Sequence, residues 1–141
     1  MKNGRIILGI IALSVLMAGC SNGDHEAEES AAVSIAHIWL QSVDAESYEE
    51  SWNEASQAFQ SAIELADWQK QISNARGELG EIVSRELDTT NYKTELPGVP
   101  DGEYVVMEFR TSFANKNSAI ETVTAKSEPE KGWRISGYFI N

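Results

Sequence analysis

The chain has 141 residues, a formal net charge of −11 and a single cysteine. That length supports one domain around one core, and a lone cysteine excludes an internal disulfide framework. The acidic balance argues against nucleic acid as a partner and against electrostatic docking on anionic lipid.

The first segment reads as a targeting signal. Lys2 and Arg5 make a positive start, Ile6 to Leu16 is an uncharged apolar run, and small residues precede Cys20. A positive n-region, a short h-region and small residues at the cut define a secretory signal peptide. The run is too short to span a bilayer, which needs about 20 apolar residues. The string Leu16-Met17-Ala18-Gly19-Cys20 resembles the lipobox of bacterial lipoproteins, with Met17 where Leu is more usual. That resemblance implies removal of residues 1–19, a diacylglyceryl on the Cys20 sulfur and acylation of the new amine. One acyl chain holds a protein reversibly and two or more hold it firmly. Ser21, a residue other than Asp after the cysteine, resembles the pattern of lipoproteins sorted onward to an outer membrane. The implied address is the cell envelope, on the periplasmic face of the outer membrane where the host has one.

Residues 20–30 (CSNGDHEAEES) are polar and acidic and read as the lipidated Cys with a flexible tether. The folded domain is expected over 31–141. Ala32, Ile35, Ala36, Trp39, Leu40 and Val43 recur at i, i+3, i+4, i+7, i+8 and i+11, one face of an amphipathic helix. Ser47 with Glu50 has the form of a capping box opening a second helix, with Tyr48, Trp52, Ala55, Phe59 and Ala62 or Ile63 as its apolar face. A third helix places Leu65, Trp68, Ile72, Ala75 and Leu79 on one side and ends at Gly77 and Gly80.

After Gly80 the period changes to two. Val83, Arg85 and Leu87 share one face of a first strand, and Leu96-Pro97-Gly98 and Asp101-Gly102 mark a turn. Val105, Met107, Phe109 and Phe113 line one face of a strand over 103–113. A reversal at Asn115-Lys116-Asn117 leads to a strand over 119–127. A turn over 128–132 precedes a last strand in which Trp133, Ile135 and Phe139 alternate with Arg134, Ser136 and Tyr138. Short connections imply antiparallel neighbours. The expected fold is α+β: three N-terminal helices packed on one face of a curved four-stranded antiparallel sheet.

The chemistry-bearing residues are few. His25 falls in the tether and His37 on the polar side of the first helix, neither with a ligand-spaced partner, so no metal site is expected. The glycines form no phosphate cradle, and no cofactor is expected. Arg85 and Glu121 stand out because alternation turns both toward the apolar side, where an unpaired charge is expensive. They either form a structural ion pair beneath the helices or line a ligand site in which Arg85 grips an anionic or polar group and Glu121 orients it. Glu121 would suit a general acid or base if burial raised its pKa, but no second group completes a carboxylate pair. Among the aromatics, Trp39, Tyr48, Trp52, Trp68 and Trp133 fit a core or an aromatic pocket, and Trp52 and Trp133 are the candidates for ligand contact.

The stretch from about Ile35 to Asn141 resembles the bacterial family called domain of unknown function 4019. The resemblance is carried by Trp39-Leu40, Val43-Asp44, Tyr48, Ser51-Trp52, Phe59, Trp68, Arg76, Leu79-Gly80 and Ser84-Arg85. It continues through Leu96-Pro97-Gly98, the run Pro100 to Val106, Phe113-Ala114, Glu121 to Thr124 and Trp133 to Ile140. The family implies no catalytic role. The helices-then-sheet order and the Trp-Arg-x-x-Gly-Tyr ending also resemble the nuclear-transport-factor-two-like superfamily of α+β rolls, which hosts both enzymes and binding modules. The expected function is a non-enzymatic envelope module binding a partner protein or small ligand. The alternative is a small-molecule pocket with weak hydrolase or isomerase chemistry on Arg85 and Glu121. Dimerisation through an outer sheet face bearing Tyr104, Val106 and Tyr138 is a third option, opposed by Glu108 and Arg110 on that face.

Overall fold

The computed structural model describes residues 23–141 and the backbone of residues 5–7. The rest of the segment read as a signal, with Cys20 and Ser21, lies outside the described residues. In chain order the elements are strand β1 (Arg5–Ile7), a 3-10 turn (Gly23–His25), helices α1 (Glu26–Asp44), α2 (Tyr48–Glu54), α3 (Gln57–Ala62) and α4 (Leu65–Leu79), then strands β2 (Ile82–Lys93), β3 (Tyr104–Phe113), β4 (Lys116–Glu128) and β5 (Gly132–Ile140). The class is α+β, with the helices before an open antiparallel sheet. Strands β2 to β5 are joined in sequence, and β1 adds to the outer edge of β5, giving the order β1-β5-β4-β3-β2. In that added strand Arg5 pairs with Ile140 and Ile7 with Tyr138.

Helix α1 starts within the acidic stretch read as a tether, so that segment is helical from Glu26. The local chemistry favours this. Glu26, Glu28 and Glu29 lie in the first turn, where the helix dipole stabilises negative charge. The Glu29 carboxylate then accepts from the Thr90 hydroxyl and the Tyr92 N–H, both at 3.0 Å. His25, also assigned to the tether, stacks on the Tyr92 ring with centroids 3.8 Å apart.

The expected second helix is two. The chain breaks at Ala55–Ser56, where the Ser56 N–H donates to the Ile135 carbonyl at 2.8 Å and so ties the break to β5. The Ser56 hydroxyl accepts from the Phe59 N–H at 3.0 Å, capping α3. Ser47, the cap expected from its Ser-x-x-Glu pattern, makes no side-chain cap bond. Gly77 is inside α4, which ends at Gly80 with φ +78, a left-handed conformation suited to glycine.

Helix α1 lies on the inner face of β2 to β5, α2 packs on both α1 and α4, α4 reaches α1 through Trp68 and Arg76, and α3 lies on β5. Ala32, Ala36, Trp39, Leu40 and Val43 are buried along α1 and meet Phe59, Trp68, Ile72, Phe109, Val123, Ile135 and Ile140. Trp39, Phe59 and Trp68 form an aromatic cluster with centroids 5.0–6.2 Å apart, Phe59 edge-on to both indoles and the indoles tilted to each other. Ser51 satisfies both buried indole N–H groups: its carbonyl accepts from Trp39 and its hydroxyl from Trp68.

Register shifts interrupt the ladders at Ile82/Ser84, Leu87/Thr89, Thr111/Phe113 and Thr124/Ala125. Such bulges bend a strand and re-aim its side chains. The first turns Val83 outward, 69% exposed, so it does not share the face of Arg85. The last reverses the final strand: Tyr138 faces the core and is buried, whereas Phe139 is half-exposed. The outer-face patch expected of Tyr104, Val106 and Tyr138 therefore does not exist.

Candidate functional site

The site lies where α1 and α4 end over the inner face of the sheet. Asp44 is the last residue of α1 and Arg76 is in the last turn of α4. Arg85 stands on β2, Thr111 on β3, Glu121 on β4 and Tyr138 on β5. The register explains the meeting: Arg85 pairs with Thr111 across β2–β3, and the β4–β5 ladder brings Tyr138 beside the Glu121 row.

Glu121 is 0% exposed and Arg85 retains 11% of its side-chain exposure. Arg85 Nε and Nη2 donate to the two Glu121 oxygens at 2.7 and 3.1 Å. Its Nη1 and Nη2 donate to the two Asp44 oxygens at 2.7 and 3.0 Å. One guanidinium thus grips two carboxylates, each in the fork geometry that makes such pairs strong. Arg76 Nη2 adds a 2.8 Å bond to Asp44 Oδ1. The Thr111 hydroxyl donates to Glu121 Oε1 at 2.5 Å, and the Tyr138 hydroxyl donates to Oε2.

Two guanidinium groups meet two carboxylates, so the cluster is neutral in sum. Asp44 sits at a helix C-terminus, where the dipole disfavours an anion, and the two cations offset this. Burial pushes the Asp44 carboxyl up, but Arg85 and Arg76 together outweigh it and hold the group below its ordinary range. Burial tends to lower Arg85, and its two carboxylate partners reverse that and raise it well above its ordinary value. Tyr138 is pushed well up, first by burial and then by the Glu121 charge. Arg76 lies with its guanidinium carbon 5.0 Å from the Phe113 ring centroid. Its Nε and Nη1 are buried without a hydrogen-bond partner among the described residues.

All four carboxylate oxygens therefore have donors inside the protein. Neither acid has a free oxygen turned toward solvent, although Asp44 keeps 21% of its side-chain exposure. The structure brings Arg85 and Glu121 together and leaves the two tryptophans elsewhere. Trp52 is half-buried on α2, its indole N–H donating to the Ile63 carbonyl at 2.9 Å. Trp133 pairs with Ser127, whereas Glu121 pairs with Ile140. Six residues along β4 separate the two pairings, roughly 20 Å of strand. Cys20 lies outside the described residues. His37 is exposed, with its ring edge-on to Phe109 at 5.4 Å. Among the described residues no group of three or more His, Cys, Asp or Glu is arranged to hold a metal ion.

Asp44, Arg76, Thr111 and Tyr138 were not among the candidates read from the sequence. Arg76 was open to detection, because it stands four residues after Ile72 and three before Leu79, inside the apolar arc of α4. Asp44 follows Val43 at the end of an apolar helix face. Tyr138 was hidden by the bulge in β5.

Fold and site together define an α+β domain whose interior charges are neutralised by one another. Residues 35–138 match the family described as Protein of unknown function (DUF4019). The match spans most of the chain, and the chain belongs to that family. No curated protein matches it.

Proposed function

We propose that this chain is a lipid-anchored, non-enzymatic domain of the cell envelope that works by binding a partner. The observation carrying the non-enzymatic part is the saturation of Asp44 and Glu121. A general acid or base must reach substrate through a free oxygen, and each oxygen here is held by Arg85, Arg76, Thr111 or Tyr138. The anchoring part rests on the signal-like start and the lipobox-like string before Cys20, with Ser21 supporting the periplasmic face of an outer membrane. Helices followed by a bulged antiparallel sheet support a nuclear-transport-factor-two-like roll. Cleavage before Cys20 also removes β1, leaving the outer edge of β5 at Tyr138–Ile140 without that pairing. An unpaired edge is a template for another chain's strand, and this favours a protein partner.

A second reading rests on Arg76. Two buried donors without partners suit a small polar or anionic molecule admitted at the Asp44 end, which keeps Arg85 and Glu121 as supporting residues.

The test has two arms. Cells fed labelled palmitate should mark the parent and not Cys20→Ser, and the variant should leave the membrane fraction. A photo-crosslinker at exposed Asn141, beside the β5 edge, should give a discrete adduct with an envelope protein, unchanged in Glu121→Gln. An adduct lost in Glu121→Gln at unchanged Tm, or no adduct together with a small molecule that raises Tm, would favour the second reading.

A further inference from the structure

The docked start of α1 fixes how the domain stands on its membrane. Glu29 and His25 pin the first turns to β2 through Thr90 and Tyr92. Only Ser21 and Asn22 separate Cys20 from the 3-10 turn at Gly23. Three Cα steps reach at most about 11 Å.

Helix α1 then runs along the strands, from Thr90 and Tyr92 at one end to Arg85 at the other. Its 19 residues cover about 28 Å. At the near end lies the β2–β3 loop over 94–103, closed by a Gly102 N–H to Thr94 carbonyl bond of 3.0 Å and a Tyr104 hydroxyl to Pro100 carbonyl bond of 2.6 Å. At the far end lie the Asp44 cluster and the Ala114–Asn115 turn, whose Asn115 N–H donates to the Leu79 carbonyl at 2.9 Å.

We infer that the near end, with the 94–103 loop, faces the bilayer carrying the Cys20 lipid, and that the β3–β4 turn and the Asp44 cluster project away from it. The inference rests on the anchoring reading above. The tether is shorter than the domain is long, so the domain cannot stand inverted. Charge does not hold it there: Asp24, Glu26, Glu28, Glu95, Asp101 and Glu103, with Glu128 and Glu130 of the neighbouring β4–β5 turn, outnumber Lys93, Lys126, Lys131 and Arg134 at this end. An anionic surface repels such a face, so the tether alone sets the orientation. A partner reaching the domain from the aqueous side therefore meets the far end and the flanks first.

The lipidated full protein, reconstituted into phosphatidylcholine vesicles, tests this. With Cys20 acylated it has no free thiol, so Pro97→Cys and Asn117→Cys give single fluorophore sites at exposed near-end and far-end positions. Lipids brominated near the headgroup should quench the Pro97 probe several-fold more than the Asn117 probe. Inserting about twelve Gly/Ser residues after Ser21 gives a flexible leash that should remove the difference. Equal quenching in an acylated chain overturns the orientation alone, as does a difference that survives the insertion. A chain whose N-terminal peptide carries no acyl mass and does not enter vesicles overturns the anchoring reading and the orientation with it.

Discussion

Arg85→Ala is the most informative single change because Arg85 touches both acids. It strands Glu121, 0% exposed, with only the Thr111 and Tyr138 hydroxyls for partners. Asp44 keeps Arg76 and part of its solvent contact. Breaking a buried pair by removing one partner costs about 3–5 kcal/mol, and nearly all of that falls on Glu121. Glu121→Ala acts differently: Arg85 keeps its two bonds to Asp44 and the excess positive charge lies at the partly exposed Asp44 end, but Thr111 and Tyr138 lose their acceptor. Each unsatisfied buried donor costs about 1–3 kcal/mol, so a total near 3 kcal/mol is expected. The double variant should cost less than the two singles together, with a coupling of about 1–3 kcal/mol. Domains of this size hold about 5–15 kcal/mol, so Arg85→Ala should lower Tm by about 12–20 °C. The assay is urea unfolding of residues 20–141 carrying Cys20→Ser, followed by tryptophan emission. Single losses below about 1 kcal/mol with additive behaviour would refute the structural role. They would mean the charges are maintained for a ligand at no benefit to the fold.

Further outcomes follow from the same geometry. Ser51→Ala leaves the Trp68 indole N–H without its acceptor and should cost about 1–3 kcal/mol in the same urea assay. Gly80→Ala should cost about 1–3 kcal/mol, because φ is +78 and a Cβ would meet Asn115 Nδ2 at 3.0 Å and the Ala114 Cβ at 3.1 Å. Gly98→Ala, with similar φ but open space, should cost less, and thermal melts will separate the two. The Asp44 carboxyl is depressed in the folded state, so its contribution is present above about pH 4 and is lost as pH falls below that. Tyr138 is raised, so its contribution is present below about pH 10 and is lost as pH rises beyond. Tm measured across pH should therefore fall on both sides, and Tyr138→Phe should flatten the alkaline limb alone.

The order of elements was legible because hydrophobic period alone carries it. The α1 stripe from Ala32 to Val43 is buried at each residue where the 3.6-residue period placed it except Ile35, which packs at the core margin. The alternation over Val105, Met107 and Phe109 gave the inner face of β3. What failed lies where a long-range contact overrides local pattern. Residues 26–30 are too polar to bury a core, and only the bonds from Glu29 to a strand more than 60 residues on make them a docked helix. The break at Ala55–Ser56 is set by Ile135, far along the chain.

The site was half legible for a related reason. A charge on the apolar face of a strand is visible wherever the ladder is regular, and this exposed Arg85 and Glu121. A bulge shifts the parity of every residue after it, and no period-two reading crosses one correctly. Val83 and Tyr138 were both misplaced by bulges, in opposite senses. Tyr138 matters more. With Tyr138 outside, Glu121 would hold one hydroxyl partner, and its Oε2 would keep only the 3.1 Å bond from Arg85 Nη2. With Tyr138 inside, the fourth carboxylate oxygen gains a second donor, and the pair becomes part of a closed, neutral set. The bulge in β5 thus supplies the second donor to Oε2, and deleting it by removing one residue between Arg134 and Gly137 should re-expose the Tyr138 side chain and leave Oε2 with Arg85 alone. If a variant so shortened still unfolds with the parent's urea midpoint, the closed set contributes nothing to the fold, and the assignment of Arg85 and Glu121 to structure fails with it.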